Sequence, residues 1–163
     1  MANSRRRVLQ LLEIWDQSQR HAQDLLSAEF EQGKKVPPKE RSLMQHLLFG
    51  VLRQRRVLDL WIDHLRDSKG KGGVEEDARR VLQLGLFQLF HTRIPDHASV
   101  NETLRLATPR TRGLINALLR RATRERASLE ALAASAPAAV RYSLPDFLAT
   151  KWEGQLGAGS WHH

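Results

Sequence analysis

Apolar residues recur along this chain with the period of an α-helix. Near the N-terminus they lie at i, i+3, i+4 and i+7 and share one helix face: Val8, Leu11, Leu12 and Trp15. A second amphipathic stretch runs from Ala22 to Phe30. Pro37-Pro38 then opens one long helix that reaches about Arg66, because proline suits the first turn of a helix.

The second half of the chain starts after a loop at Asp67–Gly73, which is rich in glycine and lysine and divides two predicted subdomains. A helix beginning near Val74 is apolar over most of its circumference, so we expect it to be central and buried. Gly85 lies inside this helix. A glycine there is unfavourable by about 1 kcal/mol relative to alanine, which indicates a close approach by another helix.

Shorter helices are predicted after this central one. One runs from about His97 to Ala107, and Pro109 opens another that reaches about Glu125. The alanine-rich segment Ala127–Ala139 is expected to extend that helix. Val140–Leu144 resembles an extended connector, and residues 146–156 a last short helix. No stretch alternates apolar and polar residues with period two, so the pattern predicts an all-α fold.

Motifs for catalysis, metal binding or cofactor binding are missing from this pattern. The sequence has no cysteine, and KGKGG lacks the spacing of a phosphate-binding loop. The histidines form neither HxxxH nor HExxH, which favours structural or surface roles over metal binding: His21, His46, His64, His91 and His97. We therefore expect no catalytic residue, no metal ligand and no cofactor in this chain. No apolar run approaches the roughly 20 residues of a membrane span, so a cytoplasmic location without membrane contact is expected.

Charge is the strongest functional signal. The formal net charge is +8, which favours a polyanionic partner. Arg5, Arg6 and Arg7 lie in the first turn of a helix, where cations oppose the helix dipole by roughly 0.3–1 kcal/mol. An external anion such as RNA phosphate is the more economical explanation for this triplet. Seven further arginines lie between Leu104 and Arg126: Arg105, Arg110, Arg112, Arg120, Arg121, Arg124 and Arg126.

Three members of this second group are candidates for RNA binding: Arg120, Arg121 and Arg124. Arginine offers a planar fork to phosphate and can stack on bases. The same residues are equally consistent with the solvated side of an amphipathic helix, since Ile115, Leu118, Leu119 and Ala122 define the buried stripe. Both interpretations remain open at this point.

Three segments resemble the NusB family. SRRRVLQLLEIWDQ (Ser4–Gln17) is similar to the arginine-rich leader and first helix, and VLQLGLFQLFHTRIPDHASVNETLRLA (Val81–Ala107) to the central LRxALYEL helix, IP turn and VNExxxLA helix. GLINALLRR (Gly113–Arg121) resembles FVNGVLR, with leucine-isoleucine in place of phenylalanine-valine. The resemblance covers roughly residues 4–126. It implies two small helical bundles, about 4–66 and 74–126, packed orthogonally.

The tail resembles one branch of this family. RYSLPDFLATKWEGQLG (Arg141–Gly157) is similar to the segment that joins a NusB-like domain to the catalytic part of RsmB-type (Sun/Fmu) rRNA cytosine-C5 methyltransferases. The implied organisation is an RNA-binding domain at 1–126, a segment at 127–158 leading to an absent methyltransferase domain, and an expression-tag remnant at 159–163. S-adenosylmethionine would belong to that absent domain.

The resemblance also implies a partner and a rival function. In free-standing NusB the leader binds RNA together with a ribosomal protein, which implicates Arg5, Arg6 and Arg7 here. The chain is thus expected to position rRNA for a methyltransferase domain in cis. The alternatives are a free-standing transcription antitermination factor that binds RNA with a ribosomal-protein partner, and a protein-interaction module whose basic faces are incidental.

Overall fold

The computed structural model describes residues 4–18, 20–31, 36–66 and 73–137. These residues form seven helices and no strand, which confirms the predicted all-α fold. In chain order the helices are α1 (Ser4–Ser18), α2 (Ala22–Glu31), α3 (Pro38–Arg66), α4 (Glu76–His91), α5 (Asp96–Leu104), α6 (Pro109–Arg124) and α7 (Arg126–Ala134). No helix among them is both long enough and apolar enough to span a membrane.

The first three helices lie where the hydrophobic periodicity of the sequence predicts them. Val8, Leu11 and Leu12 are buried on one face of α1, and Pro38 is the first residue of α3. Toward the C-terminus the predicted bounds are less accurate. Helix α5 ends at Leu104 instead of near residue 107, because the chain turns there with Leu106 N–H donating to the Thr103 carbonyl at 3.0 Å.

Helix α4 is the central helix of the fold. It packs against α1, α3, α5 and α6, and eleven of its residues are buried. A Cβ added at Gly85 would lie 2.9 Å from Thr103 Cγ2 on α5 and 3.0 Å from Leu119 Cδ2 on α6. Gly85 therefore permits the close approach that its position within a helix indicated, and two neighbouring helices use it.

The alanine-rich segment does not extend α6, contrary to expectation. The chain turns at Glu125, with φ −106° and ψ 26°, and α7 begins at Arg126. The Arg126 guanidinium donates to the Leu89 carbonyl at 3.0 Å and to Asp96, so this residue is held against the turn between α4 and α5. Helix α7 then packs on α3, where the Leu129 carbonyl accepts a 2.7 Å hydrogen bond from the Trp61 indole.

The buried residues form one continuous core that reaches from Val8 on α1 to Leu129 on α7. Residues of both predicted subdomains contribute to it, and their division into two bundles stays a prediction. Most of the predicted loop at 67–73, the connector at 140–144, the last helix at 146–156 and the tag remnant at 159–163 lie outside the described residues.

Candidate nucleic-acid interface

The solvent side of α6 carries a row of arginines. Arg112, Arg120 and Arg124 are exposed, and with half-buried Asn116 they recur every fourth residue along one helix face, the α6 outer face. The opposite face is buried in the core through Ile115, Leu118, Leu119 and Ala122. At 1.5 Å per residue the α6 outer face extends about 18 Å.

Electrostatically, the α6 outer face is uncompensated. Helix α6 contains five arginines and no acidic residue. The Arg120 guanidinium has its hydrogen-bond partner on the same helix, since its Nε donates to Asn116 Oδ1 at 2.9 Å. Within the described ranges, Arg112 and Arg124 form no hydrogen bond or ion pair through their side chains. Their guanidinium groups are therefore available to an external anion.

Arg121 has a different environment from its two neighbours in the candidate set. Its Nη1 donates to the Leu65 carbonyl at 2.6 Å, and its Nε pairs with Glu125. The side chain is half-buried, so it ties α6 to the C-terminal end of α3. Of the three α6 residues proposed from the sequence, the structure leaves Arg120 and Arg124 facing solvent and directs Arg121 inward.

The N-terminal triplet does not form one patch. Consecutive helix residues are about 100° apart, and the three side chains point in different directions. Arg5 is mostly buried and donates through Nε to Gln88 Oε1 on α4 at 2.7 Å, while Arg7 pairs with Glu29 on α2 at 2.8 Å. Arg6 alone of the three is exposed. Internal acceptors thus account for two of the cations that the helix dipole disfavours.

Arg6 lies next to another arginine, Arg105, at the C-terminal end of α5. Its Nη2 donates to the Arg105 carbonyl at 3.2 Å, and the Arg105 side chain is 72% exposed. Glu102 lies 3.9 Å from Arg5 and 3.7 Å from Arg105, so one carboxylate is shared by two arginines at this corner. Sequence reasoning did not select Arg105 or Arg112 for the site, although exposure at helix spacing could have indicated Arg112.

A polar cavity of about 470 Å³ lies between α1, α3 and α4. Asp16 at its edge accepts hydrogen bonds from Arg55 and from Arg80, the latter at 2.9 Å. Burial alone would raise the pKa of Asp16, but the two guanidinium groups outweigh it and hold the pKa below its ordinary value. Since the cavity's charged groups are paired with one another, we interpret it as a link between helices and not as a ligand site. Its lining comprises Asp16, Gln17, Arg55, Asp59, Glu76, Arg79, Arg80 and Gln83.

Comparison with known families agrees with this helical architecture. The model of the NusB family matches residues 2–124. The chain belongs to the NusB family. The matched range contains α1 to α6 and ends at Arg124, so all six arginines selected from the sequence lie within the NusB domain.

Similar proteins combine such a domain with further sequence. The ribosomal RNA small subunit methyltransferase B of Pseudomonas putida is 36% identical over 139 residues, which are 78% of this chain and 32% of that protein. The proteins of the same name from Citrobacter koseri and Escherichia coli O157:H7 are 34% and 35% identical, over 78% and 71% of this chain. The chain spans only 27–32% of the length of these relatives.

Proposed function

We propose that this NusB domain binds rRNA for an S-adenosylmethionine-dependent 5-methylcytosine methyltransferase, and that it positions the RNA through basic helix faces. The observation that carries the proposal is the α6 outer face, with three exposed arginines and no acid on the helix. Phosphate contacts of this kind fix the register of a nucleic acid, whereas base contacts specify its sequence. The choice of the target base and the methyl transfer would belong to a catalytic domain in cis.

The contacts divide among the six arginines according to their partners. Arg120 and Arg124 contact phosphate directly, together with Arg112, because their guanidinium groups face solvent. Arg6 provides a further contact at the corner with Arg105. Arg5, Arg7 and Arg121 contribute indirectly, since their hydrogen bonds to other helices hold the two basic surfaces in place.

The names of the relatives favour this function over a free-standing antitermination factor, because those proteins are called rRNA methyltransferases. A ribosomal-protein partner belongs to the antitermination alternative. No separate feature of the described surface supports that partner. RNA binding is common to both functions, so it is the property to test first.

The test is a salt-dependent titration of the 163-residue chain with a fluorescent hairpin from small-subunit rRNA. In one variant Arg112, Arg120 and Arg124 are replaced by glutamine. Each lost phosphate contact should reduce the magnitude of the negative slope of log K against log salt by about 0.7. The slope of the triple variant should therefore be smaller in magnitude than that of the wild type by about 2.

A matched variant controls for net charge, since it removes three exposed cations from other helices and connections: Arg20, Lys39 and Arg53, each replaced by glutamine. This control should retain most of the wild-type affinity and slope. Equal losses in the two variants would assign binding to overall charge, and unchanged binding in the α6 variant would remove α6 from the interface.

A further inference from the structure

A row of five aromatic rings connects α3 and α4. Phe87 packs between two histidines, with ring centroids 5.4 Å from His46 and 5.3 Å from His91. His91 in turn lies 6.2 Å from Trp61, and Trp61 lies 4.4 Å from Phe90. The Phe87 and His91 rings and the Trp61 and His91 rings are stacked, with interplanar angles of 29° and 14°.

Exposed and buried rings alternate along the row, since the two histidines flank Phe87 and His91 also contacts Trp61. Phe87 and Trp61 are 4% and 2% exposed, whereas His46 and His91 are exposed residues. The two buried rings are held in place, because Trp61 is anchored by its hydrogen bond to the Leu129 carbonyl and Phe87 occupies the space above Gly50. A Cβ at Gly50 would lie only 2.0 Å from Phe87 Cζ, so the ring fits only against a glycine.

The two exposed imidazoles that flank Phe87 have polar atoms available for a ligand. Neither forms a hydrogen bond or ion pair within the part of the chain that the structure describes. Partial burial among the rings, together with the neighbouring charge of His46, lowers the pKa of His91. A neutral imidazole offers one donor and one acceptor, which suits the edge of a nucleobase better than a phosphate.

We propose that His46 and His91, supported by Phe87, form a stacking site for an unpaired nucleobase of bound RNA. This inference rests on the proposed RNA-binding function and adds the class of nucleotide that the domain recognises. Unpaired bases expose their faces and are held by stacking on aromatic and histidine side chains, whereas bases within a duplex are already stacked. The two imidazoles, exposed on either side of Phe87 and without internal hydrogen bonds, match that requirement, while a purely structural cluster has no need of polar rings at its exposed positions.

The experiment uses the whole chain and single-stranded RNA oligonucleotides that contain 2-aminopurine, whose fluorescence falls on stacking. Wild type is compared with His46→Ala and His91→Ala, and with His21→Ala as a control for an exposed histidine on another element. Each cluster variant should weaken binding about tenfold and reduce the quenching, because one stacked base contributes an effect of this order. The salt slope should stay unchanged, since no phosphate contact is lost.

Two further measurements separate stacking from a general loss of structure. His91→Phe should restore most of the affinity, because it keeps a ring on the platform. A series of oligonucleotides, each with a single abasic position, locates the stacked base. At one position the abasic RNA should bind the wild type less tightly than the intact RNA does. The His91→Ala variant should bind that abasic RNA and the intact RNA equally well. If wild type binds RNA but the cluster variants match it in affinity and quenching, the stacking site is refuted; if wild type does not bind RNA at all, the proposed function fails first.

Discussion

Replacing Asp16 by asparagine tests whether the ionic link between α1, α3 and α4 stabilises the fold. Asp16 accepts hydrogen bonds from both guanidinium nitrogens at the end of Arg55, one of them at 2.6 Å, and from Arg80 Nε at 2.9 Å. Arg80 is only 8% exposed. The asparagine keeps the size of the side chain but removes the charge that two arginines share.

The expected loss follows from burial. Removing one partner of a fully buried ion pair typically costs about 3–5 kcal/mol. The Asp16 side chain is 26% exposed and Arg80 keeps its 3.0 Å contact with Asp77, so both the desolvation and the uncompensated charge are smaller here. We expect the free energy of unfolding to fall by about 2 kcal/mol, which lowers Tm by roughly 4–8 °C for a chain of this length.

The pH dependence gives a second, independent signature. Because the pKa of Asp16 is lowered in the folded state, its stabilisation is present at neutral pH and is lost as pH falls below about 4, through the folded-state pKa. Thermal unfolding followed by circular dichroism at pH 7, 5 and 3 should therefore show a smaller gap between wild type and Asp16→Asn at pH 3 than at pH 7. Asp24→Asn, an exposed acid in the first turn of α2, is the control. A gap below about 0.5 kcal/mol at pH 7, or one that does not depend on pH, would refute this reasoning.

Two pairs of variants test packing elsewhere. Arg5→Ala should lower the free energy of unfolding by about 1–3 kcal/mol, since it leaves the buried side-chain oxygen Oε1 of Gln88 without its donor, while Arg6→Ala should stay within about 0.5 kcal/mol of wild type. Gly85→Ala should destabilise by about 1–3 kcal/mol through overpacking, and Gly113→Ala, whose Cβ would meet nothing within 4 Å, should stabilise by up to about 1 kcal/mol. Urea unfolding measures all four, and equal effects within either pair would contradict the contacts described.

The sequence predicted most of the helices well because they are encoded locally, by apolar spacing and, for α3 and α6, by proline at the start. Helix α3 begins and ends where the pattern placed it, and the nearly continuous apolar run around Gly85 identified the buried α4. The turn at Glu125 was missed because its cause is not local. Arg126 is held by groups on the α4–α5 turn, and alanines on either side carry no signal of a break.

The site was harder to predict for the same reason. The helix dipole disfavours Arg5 and Arg7 only where no internal acceptor is near, yet Arg5 donates to Gln88, 83 residues away, and Arg7 pairs with Glu29 on the next helix. A single sequence shows charge but not its tertiary partners. The cations that remain exposed can be identified only when the internal acceptors have been assigned, and this moves the principal RNA contact proposed here from α1 to α6.

The position of α6 is itself a consequence of α4. Leu119 lies close enough to Gly85 that a single added carbon would meet it, and Arg121 binds the last turn of α3, so the helix is fixed on both sides. Asn116 restrains Arg120 in the same way on the exposed side. Side chains held before binding lose less conformational entropy when a ligand arrives. In the proposed function the buried glycine and the inward arginine therefore contribute without contacting RNA, because they fix the helix that carries the α6 outer face.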